Sequence, residues 1–301
     1  MDVELIYEAL PLLVLGLGTG IYGVLVGAGG GFILAPVLIL FFEMDPRIAA
    51  GTSLALVSVN SLSGFAAYRK SGLIDKRSGI LFAIAAIPGS VLAPLALHMV
   101  AGSAFKVMFG LLLLVLSVQL ALKPNYAEKE TFDGHDEDTD GMNYGTNNVI
   151  SLWENFSITS RKIYSKTGNV YQYQFNETLA TIFNFFLGFI SSFFGTGGGF
   201  LRTPILVAFF KFPVPIAVAT SIFSLAIYAS FGALSHAYMG NIQFYPTLVW
   251  SGIGLVLGGQ IGARLMESLN GLIIMRLLLV VVLVLGVQLV IEGVGIWPES
   301  L

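Results

Sequence analysis

The feature that most constrains this chain is a glycine cluster that it contains twice. "GAGGGFILAP" runs from Gly27 to Pro36, and "GTGGGFLRTP" from Gly195 to Pro204. Sliding residues 27–74 by 168 onto 195–242, without a gap, gives 16 identities in 48 positions. They include Gly27/Gly195, Gly29/Gly197, Gly30/Gly198, Gly31/Gly199, Phe32/Phe200, Pro36/Pro204, Thr52/Thr220, Ser53/Ser221, Gly64/Gly232 and Gly72/Gly240. Shared hydrophobicity cannot place glycines, prolines and a Thr-Ser pair in register. The sequence therefore reads as two homologous halves.

Each cluster interrupts an apolar context. Of the 301 residues, 55% are hydrophobic and 11% charged, and the mean hydropathy is +0.83. A soluble domain carries about 25% charged residues, so this chain could not cover its surface in water. Apolar segments near 5–26, 47–68, 78–98, 105–122, 178–194, 214–238, 245–266 and 273–292 approach the ~20 residues that span a bilayer. After each cluster comes a shorter segment, Phe32–Phe42 and Phe200–Phe210. Eleven helical residues reach only ~16 Å, about half of a ~30 Å hydrocarbon core. The fold class expected is an all-α integral membrane protein of two repeats, about five segments each, with one short broken helix per repeat. The acidic start (Asp2, Glu4, Glu8) lacks the basic region of a signal peptide, so the first segment reads as a retained span.

The domains expected are a first transmembrane repeat over 1–122, a polar insert over 123–177 and a second repeat over 178–301. The insert holds nine of the chain's 18 acids, including "HDEDTDG" at His135–Gly141. That run reads as a solvated acidic loop rather than a metal site, because nothing fixes ligand geometry. A turn signal at Lys166–Asn169 between Tyr- and Val-containing flanks predicts a small β-hairpin.

Charge sets the topology. The 68–78 connection carries Arg69, Lys70, Lys76 and Arg77 against Asp75, whereas its counterpart, 236–245, carries no Lys or Arg. Short basic loops lie in the cytoplasm, so equivalent loops face opposite sides and the repeats are inverted. Both termini are then outside the cell membrane, and the insert is inside.

A helix break leaves backbone groups without partners, which lipid does not tolerate. Glycine lets an anion approach the free N–H groups at the start of the next half-helix, where the helix dipole is positive. Candidate substrate-binding residues are accordingly Gly27, Gly29, Gly30 and Gly31, with Gly195, Thr196, Gly197, Gly198 and Gly199. The alternative is that the glycines only let helices touch, as at Gly16/Gly20 and Gly258/Gly262. Arg202 opens the second half-helix, where its repeat partner is Leu34; it either binds an oxyanion or snorkels to the interface. Thr52, Ser53, Thr220 and Ser221 either line a site or bond back to the preceding turn. Asn60, Asn184 and Gln260 read equally well as interhelical hydrogen-bonding groups, and His236 as an interfacial one.

No P-loop lysine follows the glycines, and Phe32 occupies the place of the third dinucleotide-fingerprint glycine. Zero cysteines exclude disulfides and thiolate sites. No catalytic set, cofactor site or nucleic-acid patch emerges, and the net charge of −3 is small.

Taken together, "GAGGGFILAPVL" with "AAGTSL", "SGLID" and "PGSVLA", and "GTGGGFLRTPIL" with "VATSIF" and "GGQIGARL", resemble the TauE/SafE-type sulfite exporters, also described as toluene-sulfonate uptake permease-like proteins. The resemblance covers both halves, and the 123–177 insert departs from it. It implies transport of a small sulfur-containing anion, such as sulfite, a sulfonate, sulfoacetate or thiosulfate. The function expected is a secondary transporter or exporter with alternating access around a midplane site, coupled to protons or another ion, or not coupled. A passive anion channel is the alternative.

Overall fold

A computed structural model describes residues 3–122, 158–166, 168, 170–265 and 271–295. The acidic run His135–Gly141 lies outside them. Five helices form the first half: α1 (Val3–Val26), α2 (Gly31–Phe41), α3 (Pro46–Tyr68), α4 (Lys76–Leu97) and α5 (Gly102–Leu122). An antiparallel hairpin follows, β1 (Ile158–Tyr164) and β2 (Val170–Asn176), with Tyr164 opposite Val170 at the turn expected from the sequence. The second half repeats the helix order with α6 (Glu177–Phe193), α7 (Gly199–Ala208), α8 (Val214–Tyr238), α9 (Val249–Leu265) and α10 (Gly271–Gly293).

Short helices stand where the glycine clusters predict them. α2 is 11 residues long and α7 is 10. Among the described residues, four helices are long and apolar enough to cross a membrane, within α3, α4, α5 and α8. α6 has the length expected for it, whereas α9 is shorter than its expected segment, 245–266. Asn176 caps α6, its side chain accepting from the Leu179 N–H, and the second glycine break ends that helix at 17 residues. A five-residue π-helical turn, Phe244–Leu248, delays the start of α9 to Val249.

Polarity is distributed opposite to that of a soluble protein. Ile84, Leu95, Leu111, Val115, Phe186 and Val280 are exposed on the outer faces of the helices. Thr52, Ser53, Asn60, Ser191, Thr196, Arg202 and Thr220 are fully buried or nearly so. An apolar exterior around a polar interior suits lipid as the solvent, since large exposed apolar patches need a nonaqueous neighbour.

Helix pairing exchanges between the halves. α1 packs along α9, and its repeat counterpart α6 packs along α4. The self-corresponding pairs α3 with α8 and α5 with α10 complete the framework. Glycines make the first of these contacts intimate. A Cβ at Gly16 would lie 2.1 Å from the Ser251 carbonyl oxygen, and one at Gly258 would lie 2.2 Å from that of Leu17. Backbones touch along this seam, the small-residue packing of membrane helices. Elsewhere large rings do the filling: Phe105 and Phe109 of α5 stack against Phe193 and Phe194 at the end of α6, with centroids 4.9–5.8 Å apart.

Candidate functional site

The two breaks have one geometry. Gly27, Gly29 and Gly30 adopt φ of 74°, 74° and 88°, and Gly195, Gly197 and Gly198 adopt 68°, 80° and 64°. A side chain at these positions would be strained, which is why glycine recurs there in register. Internal hydrogen bonds use the N–H groups of Gly27, Ala28 and Gly29 in the first break, and of Gly195, Thr196 and Gly199 in the second. The N–H groups of Gly30, Gly31 and Phe32 are not among the bonded ones, nor are those of Gly197, Gly198 and Phe200. They stand at the positive ends of α2 and α7.

The breaks face each other and touch. A Cβ at Gly31 would lie 2.6 Å from the Gly195 oxygen, and one at Gly199 would lie 2.4 Å from the Gly27 oxygen. Beside this reciprocal contact, the Phe32 and Phe200 rings pack at 5.5 Å. Close packing and opposed free N–H groups thus coexist in the same residues.

Side chains from α3 and α8 hold the unwound carbonyls. Asn60 Nδ2 donates to the Gly29 oxygen at 3.2 Å. Tyr228, which is residue 60 + 168, donates its hydroxyl to the Gly197 oxygen at 2.5 Å. Each break therefore has one carbonyl satisfied from the equivalent position of the following long helix, although the residue types differ. Ser53 Oγ reaches across the pseudo-symmetric contact to the Gly195 oxygen at 2.8 Å. Its counterpart Ser221 is fully buried, with no partner for its Oγ. Thr52 and Thr220 do something else: Thr52 Oγ1 accepts from the Gln243 N–H at 2.9 Å, and Thr220 Oγ1 from the Asp75 N–H at 3.1 Å. Each threonine anchors the loop that leads into the other half's fourth helix. These bonds reach across to the other half rather than back to the preceding turn.

Arg202 does not snorkel. It is 0% exposed. One guanidinium nitrogen, Nη1, donates to Ser224 Oγ, and the guanidinium carbon lies 4.6 Å over the Tyr228 ring. Nε and Nη2 have no partner, and among the described residues no carboxylate pairs with the charge. The corresponding pair in the first half, Leu34 and Leu56, is apolar and fully buried. Thr196 and Thr203, near Arg202 in the chain, also have buried hydroxyls without partners. This concentration of unsatisfied donors on α7 and its break has no equivalent on α2.

The remaining polar candidates divide. Asn184 Nδ2 donates to the Ala180 carbonyl within its own helix, and Gln260 donates to Ser63 on an exposed face. His236 is buried, not interfacial, because α6 covers the last turn of α8; its Nε2 contacts the Ser192 carbonyl at 3.0 Å.

At the other end of α8, the hairpin seats on the 71–75 loop. Asp75 caps α4 through the Ser78 N–H and Oγ, accepts from the Tyr173 hydroxyl at 2.9 Å and lies 3.5 Å from Arg161 Nε. Burial, with the Asp75 carboxylate adding to it, pushes the Tyr173 phenol above its ordinary value, so it remains a donor. Phe82, Phe175 and Phe212 close an aromatic cluster around Tyr173.

An apolar exterior, glycine-broken half-helices and a buried arginine among unsatisfied donors define the class: an integral membrane protein built around an interior polar site. Residues 12–289 match the family model described as sulfite exporter TauE/SafE, and the chain belongs to that family of membrane transporters, which are not enzymes. It is 29% identical over 290 residues to the probable membrane transporter protein YunE of Bacillus subtilis, covering 94% of this chain and 97% of that one. It is 26% identical over 288 residues to a probable membrane transporter protein of Methanocaldococcus jannaschii, covering 90% and 92%. A shorter match, 37% identity over 81 residues, joins it to the probable membrane transporter protein YdhB of Bacillus subtilis. No solved structure matches it.

Proposed function

We propose that the paired glycine breaks bind a small sulfur-containing anion, such as sulfite, an organosulfonate, sulfoacetate or thiosulfate, and that the protein carries it across the cell membrane as a secondary transporter. The observation that supports this reading best is Arg202, buried with two unpartnered nitrogens and, among the described residues, no carboxylate, beside the free N–H groups that open α7. An uncompensated buried charge costs several kcal/mol, and the Tyr228 ring returns only about 2. An anion supplies the missing charge and accepts from Nε and Nη2 in the forked geometry that suits sulfur oxyanions. The sulfur chemistry comes from the family.

In this reading, Gly27, Gly29, Gly30 and Gly31 approach the anion from one side, with Gly195, Thr196, Gly197, Gly198 and Gly199 on the other. Ser53 and Ser221 border it; Thr52 and Thr220 act through the loops they hold. The two repeats, 1–122 and 178–301, are inverted about the site, with both termini outside and the 123–177 insert inside. Their rocking alternates access. Direct contact between the breaks, sealed by Phe32 against Phe200, favours a carrier over an open channel.

Arg202→Leu, which installs the residue found at the equivalent position 34, tests the reading. The variant is expected to fold and to lose both the anion-induced rise in melting temperature and anion flux in proteoliposomes. Sulfite and thiosulfate flux equal to that of the unaltered protein would refute the arginine's role.

A further inference from the structure

Two of the chain's three histidines meet at a single amide. His236 lies fully buried on the last turn of α8, and its Nε2 donates to the Ser192 carbonyl at 3.0 Å. That carbonyl also accepts the N–H of Gly195, the first glycine of the second break, at 3.2 Å. On the ring's other edge, Nδ1 accepts from Asn241 Nδ2 at 3.5 Å. The same amide nitrogen donates at 3.3 Å to Nε2 of His98, on the exposed end of α4. Asn241 rests in turn on α3, where a Cβ at Gly51 would lie 2.0 Å from its carbonyl oxygen, and two residues on Gln243 donates to Thr52.

An amide NH2 can only donate, so His236 Nδ1, which faces it, carries a lone pair, and with Nε2 donating to Ser192 that ring is neutral. A proton added at Nδ1 of His236 sets two donors against each other, and the amide must turn its Oδ1 inward. The turned oxygen accepts from Nδ1–H of His236. One amide thus gives His236 two self-consistent states, neutral with the amide nitrogen turned inward or protonated at Nδ1 with the amide oxygen turned inward. α4, α6, α3 and the loop after α8 pack here; among the described residues the titratable group turned toward His236 is His98, and no charged side chain pairs with it.

We propose that His236, with Asn241 as its switch and His98 as its exposed partner, is a proton-binding site that couples protons to anion movement at the second glycine break. The proposal rests on the anion-carrier reading above. The balance is one proton per cycle: His236 Nδ1 takes it from water on one side, becomes an imidazolium, and releases it to water on the other; no other bond changes. As an imidazolium, His236 donates more strongly to the Ser192 carbonyl. It competes there with Gly195 N–H, which is released toward the anion, while the added positive charge favours anion entry. Exit of the proton reverses both effects.

The test is uptake of methanesulfonate and thiosulfate, which keep their charge through the pH range used, into proteoliposomes with the membrane potential clamped at zero. One-to-one coupling predicts about tenfold accumulation per unit of pH gradient, since each unit is a tenfold ratio of proton activity. His236→Gln keeps an amide donor near Ser192 and is expected to reduce that ratio to about one, while the anion-induced shift in melting temperature persists. Asn241→Asp, which can only accept, is expected to move the pH midpoint of flux upward, and it serves as the test where His236→Gln does not fold. Accumulation retained in His236→Gln, an unmoved midpoint in Asn241→Asp, or flux in the unaltered protein that ignores the gradient overturns the coupling and leaves the anion carrier standing. Absence of binding and flux for every anion of the panel overturns the carrier reading and the coupling with it.

Discussion

A carboxamide at position 60 and a phenol at position 228 serve one purpose, satisfying a carbonyl that unwinding has exposed inside a membrane protein. Because a buried unsatisfied acceptor costs about 1–3 kcal/mol, Tyr228→Phe is expected to lower the melting temperature in detergent. The ring beneath Arg202 remains in that variant, so anion-induced stabilisation is retained; its loss would tie the hydroxyl itself to binding. Gly199→Ala is expected to be far more damaging. Its Cβ would meet backbone of the opposite break at 2.4 Å, with no flexible side chain to yield, and the folded, monodisperse fraction should collapse on size-exclusion chromatography. The glycines were legible in the sequence because left-handed backbone restricts residue type, and the repeat put them in register. Tyr228 was not, because tyrosine and asparagine share no pattern even though they share a position. The burial of Arg202, which removes the snorkelling alternative, needed the covering helices to be in place.

At the scale of elements, the half-helices were readable within two residues at either end, and the hairpin was readable by its turn rather than by its strand bounds. Their starts follow from glycine, and the hairpin from a turn signal between β-prone flanks. Docking of the hairpin was not readable: Arg161 and Asp75 are 86 residues apart (161 − 75) and no local pattern joins them. Glu177 extends the same seam by pairing with Arg77 and Arg161. Removing the hub is expected to loosen everything it holds. Asp75→Ala deletes the α4 cap, worth about 1 kcal/mol, and orphans the donors of Tyr173 and Ser78. Hydrogen exchange of the β2 amides should then accelerate strongly, while α5, to which none of the hydrogen bonds or ion pairs of Asp75 runs, serves as the reference. Unchanged exchange across 170–176 would show that the aromatic cluster alone seats the hairpin.

For the whole molecule, the proposed inversion of the repeats has a direct check, made simple by the absence of cysteine from the sequence. Lys70→Cys and Tyr238→Cys occupy equivalent positions at exposed ends of α3 and α8. Membrane-impermeant maleimide on intact cells is expected to label position 238 and leave position 70 until the cells are opened. Labelling of both from one side would make the repeats parallel. Membrane class was plain from composition and the repeat, while the full number of crossings was not, because a π-helical turn shortens α9 below the segment that hydropathy alone would draw. The pairing of α1 with α9, and of α6 with α4, carries a last consequence. Each half lends its opening helix to the other, as two copies of a single five-helix protein would in an arm-exchanged dimer, and Thr52 and Thr220 clasp the opposite half's loops in the same crossed fashion. Neither half can close its own helix seam alone. A gene cut within the insert should therefore yield two fragments that are degraded when made separately and persist when made together.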